Sequence, residues 1–198
     1  MMERVVATVA VSAFSLCAFL PPAWAKGFVI KPVAEKKVRQ VPPGTLYWRV
    51  ESFPALANAQ AAAGPTSLAA EVAGKAWLFT LGPKGGTTPG ASQVAEIGPV
   101  APVIATEYLL RINSTGGPPG VRTPVHTHPG SEAFYVLTGR LGQKTPDGVS
   151  HAEAGTVMNG HDAGTPMEVF SSGTSDLTAL VMFVVDATKP FSSPAKLP

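Results

Sequence analysis

The sequence predicts an all-β protein, an antiparallel sandwich or barrel of roughly ten short strands with one helix. Three observations carry that prediction. Only 14% of the 198 residues are charged, well below the usual quarter, while Gly and Pro number 20 each. Short apolar or alternating runs recur along the chain, bounded by Gly, Pro, Asn and Asp clusters. A single alanine-rich stretch has helical character. A hydrophobic fraction of 45% supplies a core, and the length suits one domain with appendages.

The N-terminus stands apart. Residues 1–25 read as a signal peptide: Arg4 in a short head, an apolar run from Val5 to Leu20, then "PPAWA". Ala23 and Ala25 supply the small residues that signal peptidase needs, with cleavage expected before Lys26. As a membrane anchor the run of about 16 residues is short of the ~20 needed to span a bilayer. A periplasmic or secreted protein is expected, with no membrane attachment after cleavage. Cys17, the one cysteine, falls in this segment and follows Leu16, so lipoprotein processing is not expected there. The mature chain then has no thiol for a disulfide or a cysteine-ligated metal.

Residues 26–104 are expected as an extension with added strands and a short helix. Its lead, "KGFVIKPVAEKKVRQVPPG", is polar, proline-punctuated and extended. In "TLYWRVE", Leu46, Trp48 and Val50 alternate with Tyr47 and Arg49, which predicts a strand. "PALANAQAAAG" is the helix candidate, with Pro54 at its start and Gly64–Pro65 stopping it. "SLAAEVAGKAWLFTL" reads as a hairpin turning near Gly74. The loop "GPKGGTTPG" follows, and then the strands "SQVAEI" and "TEYLLRI". Farther on, "EAFYVLTG", "RLGQKT", "VSHAEAG", "TVM" and "PMEVF" are strand-like. "LTALVMFVVD" is the most apolar strand and so is expected to be central. Residues 187–198 read as a tail.

The stretch "GVRTPVHTHPGSEAFYVLTG", residues 120–139, carries the chemistry. Alternation along a strand points His126 and His128 the same way, about 7 Å apart along the chain. The Pro129–Gly130 turn lets the chain bend so that Glu132 returns a carboxylate to the same point. Two imidazoles and one carboxylate leave coordination positions open and suit Fe, Mn, Ni or Zn as divalent ions. The spacing is glycine, five residues, His, one, His, three, Glu, six, glycine. Its chance occurrence is on the order of one in ten thousand, by counting template matches.

From Gly120 to Gly139 the sequence resembles the first motif of the cupins at every fixed position, and the resemblance covers roughly residues 105–186. It implies a cupin domain there, a double-stranded β-sheet barrel (jelly roll), with His126, His128 and Glu132 standing where cupin metal ligands stand. The second motif departs from the family pattern. In "GTVMNGHDAGTPMEVFSSG", residues 155–173, the alignment on "AGTPMEVFSSG" puts Met167 in the place of the fourth ligand, the family's histidine. An alternative alignment gives that place to His161. A thioether is a weak ligand for hard ions and a common gap filler, though copper(I) would accept it.

Among other residues, Phe134 and Val136 share parity with the two histidines and are expected to line the interior, whereas Tyr135 and Leu137 face away. Parity puts Tyr108 and Arg111 on opposite faces, so one of them is expected at the cavity. His151 is expected at a solvated edge. A net charge of +2 with scattered basic residues argues against nucleic acid. No phosphate loop, serine elbow or zinc-protease helix is present. The expected function is an exported cupin-domain protein binding a divalent metal and a small organic ligand. The alternatives are a metal-dependent oxygenase or isomerase and a metal-free structural or ligand-binding cupin. The resemblance also implies a homodimer paired through edge strands.

Overall fold

The structure is a computed structural model that describes residues 27–198; the expected signal segment and Cys17 lie outside the described residues. Among the described residues, fourteen strands and one helix make up the fold. A five-stranded antiparallel sheet runs β1 (Val29–Val38), β6 (Tyr108–Gly117), β13 (Leu177–Asp186), β8 (Gly130–Thr138), β11 (Val157–Asn159). A second sheet runs β10 (Gly148–Glu153), β9 (Arg140–Thr145), β12 (Glu168–Ser171). It continues beyond β12, because residues 120–126 bond back along 167–171 and carry β7 (His126–Thr127), which pairs β14 (Ser193–Pro194). The order β6-β13-β8-β11 against β7-β12-β9-β10 is that of a double-sheet jelly roll. The expected all-β barrel with one short helix is therefore what the chain forms.

A four-stranded sheet covers the outer face of this barrel, in the order β3 (Ser67–Val72), β4 (Lys75–Gly82), β2 (Tyr47–Phe53), β5 (Ser92–Ile97). The helix α1 (Leu56–Ala62) packs on it through Ala59. β3 and β4 form the expected hairpin. Its two turn residues, Ala73 and Gly74, both have positive φ (52° and 69°), the type I′ geometry that matches strand twist. Trp77 Nε1–H donates to Val72 O across the same hairpin at 3.1 Å.

Burial on both faces explains why β13 is apolar without alternation. Leu180, Met182 and Val184 pack outward against Trp48, Trp77 and Phe79 of the four-stranded sheet. Leu177, Ala179, Val181, Phe183 and Val185 point into the barrel with Phe134, Val136 and Leu141. β13 lies between β6 and β8 and is central, as its composition predicts.

Two segments are more ordered than their composition suggests. The polar lead contains β1, an edge strand of the barrel sheet, so the barrel is not confined to residues 105–186. Its lysines, Pro32 and a register shift between Pro32 and Ala34 are features common on sheet edges. The tail folds back and pairs with β7. Gly139 ends β8 at φ +71°, where a Cβ would come within 2.7 Å of Asp176 O. The turn between β8 and β9 therefore accepts only glycine without strain.

Candidate metal centre and cavity

The barrel is packed at one end and hollow at the other. Val136, Leu141, Ala152, Met158, Leu177 and Ala179 fill the first. The second holds a cavity of about 480 Å³ that His126, His128 and Glu132 all line. Neighbouring segments place them. β7, only two residues long, is held by β14 on one side and by the His126–Met167 bridge on the other. Gly130 opens β8, and Glu132 follows on its inward face, in register with Phe183.

Each histidine has its Nδ1 against a main-chain carbonyl. His126 Nδ1 donates to Pro124 O at 2.8 Å, and His128 Nδ1 donates to Phe191 O at 2.7 Å. A carbonyl only accepts, so both Nδ1 atoms carry hydrogen, and in the neutral rings both Nε2 atoms keep a free lone pair. Such a main-chain contact is the usual support for a metal-binding imidazole. The two rings meet edge to face at 4.9 Å.

Burial governs the charge of His128 and Glu132. His128 is pushed down to about 4, chiefly by desolvation, against the raising effect of the Phe191 carbonyl. Glu132 is pushed up to about 8 by desolvation, partly offset by the hydrogen bond from Gln143. Glu132 Oε2 lies 3.9 Å from His128 Nε2, but at neutral pH a neutral imidazole there faces a largely protonated acid. The contact is not an ion pair. Among the described residues, no three His, Asp or Glu side chains are gathered closely enough to form a ready-made ion cage.

Behind Glu132 lies a polar chain that the sequence reading missed. Gln143 Nε2 donates to Glu132 Oε1 at 2.6 Å and lies 3.4 Å from Met167 Sδ, while its Oε1 is 3.1 Å from His161 Nε2. His161 is thus a partner of Gln143. Met167 is buried beside Gln143 and is not among the residues that line the cavity. The inward parity of Leu141, Gln143 and Thr145 is the sequence signal for this glutamine.

The other expected lining residues divide by strand parity. Phe134 and Arg111 line the cavity. Val136 points inward but belongs to the packed end, and Tyr108 turns to the outer face, against the four-stranded sheet. His151 is exposed on β10, with Nδ1 3.1 Å from Ser172 Oγ.

The tail also builds the site. The Phe191 ring packs 4.8 Å from His128 and 5.0 Å from Phe183, and Ala195 N–H donates to Val125 O. Deleting residues 191–198 is expected to free His128 Nδ1 and turn its single Nδ1–H tautomer into a mixture. Ring ¹⁵N chemical shifts report the change; an unaltered tautomer would mean that another acceptor holds the ring.

No family model matches this chain, and no curated protein matches it. Several solved structures are similar to its barrel. A cupin-like protein from Thermotoga maritima shares 15% identity over 44% of this chain and 65% of its own, with a TM-score of 0.39. A double-stranded β-helix protein from Klebsiella pneumoniae shares 20% over 44% of this chain and 75% of its own, at 0.38. The DMSP lyase DddQ from Ruegeria pomeroyi shares 20% over 43% of each chain, at 0.38. The matched region is less than two thirds of the first and third of these chains. These neighbours are cupin-like and double-stranded β-helix proteins, the group that residues 120–139 resemble.

Proposed function

We propose that this chain is an exported cupin-domain protein that binds a divalent metal ion through His126, His128 and Glu132, with a small organic molecule in the adjoining cavity. One observation supports the metal reading most. Both imidazoles are fixed by main-chain carbonyls with Nε2 free, and they line the same cavity as a buried acid. The donor set fits a borderline divalent ion such as iron(II), manganese(II), nickel(II) or zinc(II). The thioether of Met167 adds little for such ions, so three protein ligands are the expected count. A bound ion would supply Lewis acidity toward a ligand oxygen. The residues around it orient that ligand and keep water out.

Glu132 gives the test. Its folded pKa of about 8 lies above the ordinary 4.5, so its contribution to stability is complete below pH 4.5 and lost as pH rises through 8. His128 has the opposite sense: its folded value of about 4 lies below 6.5, and its contribution is lost only as pH falls below 6.5. Between pH 6.5 and 8 the metal-free protein should therefore lose stability with rising pH, by up to about 1.4 kcal/mol per unit. Saturating manganese(II) or zinc(II) should flatten that slope, because an adjacent cation keeps Glu132 ionised throughout. Urea unfolding at several pH values with and without metal measures it. Identical slopes and midpoints under both conditions would refute the metal reading.

A further inference from the structure

The cavity specifies a ligand class. Four phenylalanines face it, Phe28, Phe134, Phe183 and Phe191, and two of them already pack with His128 at 4.8–4.9 Å between ring centres. The wall has room for another ring, because aromatic pairs gain from offset or edge-to-face contact.

Among the described residues, Arg111 is the one arginine or lysine of the wall, and it is already paired. Its Nε and Nη2 both reach Glu35 Oε2, at 3.0 and 2.7 Å, from the facing position on β1. Its guanidinium lies 4.2 Å from the centre of the Phe191 ring. Among the described residues no other Lys or Arg lines the cavity, so a carboxylate or phosphate would have to compete with Glu35 for Arg111. An unpaired charge in such a site is strongly disfavoured.

On the cavity wall one buried polar atom has no partner and one hydroxyl keeps a hydrogen to give. Asn113 is 3% exposed, and its Oδ1 has no hydrogen-bond partner. Its cross-strand neighbours are Pro32 and Val181, which offer no polar side chain. A buried amide oxygen left bare costs about 1–3 kcal/mol, and Asn113 is among the residues that line the cavity, where a ligand donor would satisfy it. Thr123 Oγ1 accepts from Val169 N–H at 3.0 Å, which leaves its hydroxyl hydrogen available. An acceptor from the five-stranded sheet and a donor from the segment beside β12 line the same cavity, and together they complement a hydroxyl, which is both donor and acceptor.

We infer that the cavity binds an uncharged aromatic molecule carrying a hydroxyl group, recognised by Asn113 and Thr123 among the phenylalanine rings. This deepens the reading above and rests on its cavity, not on its metal. The test uses chelator-treated full chain and three probes of similar size, p-cresol, p-toluate and toluene, followed by calorimetry or NMR titration at neutral pH. The expected order places p-cresol at least about tenfold tighter than p-toluate and about three- to tenfold tighter than toluene. Asn113→Leu should remove the advantage of p-cresol over toluene while toluene binding survives; Thr123→Val does the same if the first variant fails to fold. Equal or tighter binding of p-toluate overturns the inference, as does absent p-cresol binding or a p-cresol preference that survives both substitutions. Metal titration of the same samples separates the two readings: probe binding without metal binding sinks only the metal, and metal binding without probe binding sinks only this assignment.

Discussion

His126→Ala and His128→Ala are each expected to lower the affinity of the proposed site for a divalent metal by more than about 100-fold, the upper end of what loss of a supporting group alone costs. Each removes one of the two Nε2 lone pairs that face the cavity, and no neighbouring histidine replaces it, since His161 is engaged with Gln143. Gln143→Ala is the informative contrast. It leaves the three donors in place but takes away the 2.6 Å bond that orients Glu132. Affinity should then fall only about ten- to a hundredfold. Metal content after dialysis and calorimetric titration distinguish the two. Wild-type metal content in both histidine variants would leave a β-barrel with histidines as polar lining.

Phe79→Ala is expected to cost about 3–5 kcal/mol of stability. The ring is fully buried on β4, stacks near Trp77 at 6.4 Å, and lies in the layer that joins the four-stranded sheet to the outer face of the barrel. A cavity there loosens two sheets at once, and the surrounding β-strands are too tightly paired to collapse into it. Urea unfolding measures the loss. Ile104→Ser is the control, because Ile104 is 95% exposed and its replacement should change stability by less than about 0.5 kcal/mol. A cost below about 1 kcal/mol for Phe79→Ala would mean that the four-stranded sheet is dispensable to the barrel.

Strand identity was legible where one face is wet or a turn is unambiguous. Trp48 and Val50 alternate with Tyr47 and Arg49, and the Ala73–Gly74 hairpin and the helix at Leu56–Ala62 lie where the residues put them. Polar strands were harder. β1 carries lysines and a proline because it is an edge, and an edge strand resembles a linker when read alone. The same holds for Ser193–Pro194, a two-residue strand with no periodicity to detect.

In the candidate site, the spacing of His126, His128 and Glu132 announces a shared direction, and the three do line one cavity. Their supporting atoms are not legible in that way. The acceptors for the two Nδ1 hydrogens are main-chain carbonyls of Pro124 and Phe191, and sequence carries no mark of which carbonyl will arrive. Gln143 and Asn113 were within reach of a parity argument, since each sits on the inward side of its strand. The fate of Met167 and His161 depended on where a loop of a few residues turns.

Phe191, whose carbonyl fixes His128, lies 63 residues further along the chain. During synthesis the jelly-roll strands through β13 emerge before it does. Anchoring of the imidazole therefore waits on a contact distant in sequence, which forms only when residues 187–195 fold back along β7. The pocket around His128 is thus a product of the closed barrel as a whole and cannot be supplied by residues 120–139 alone.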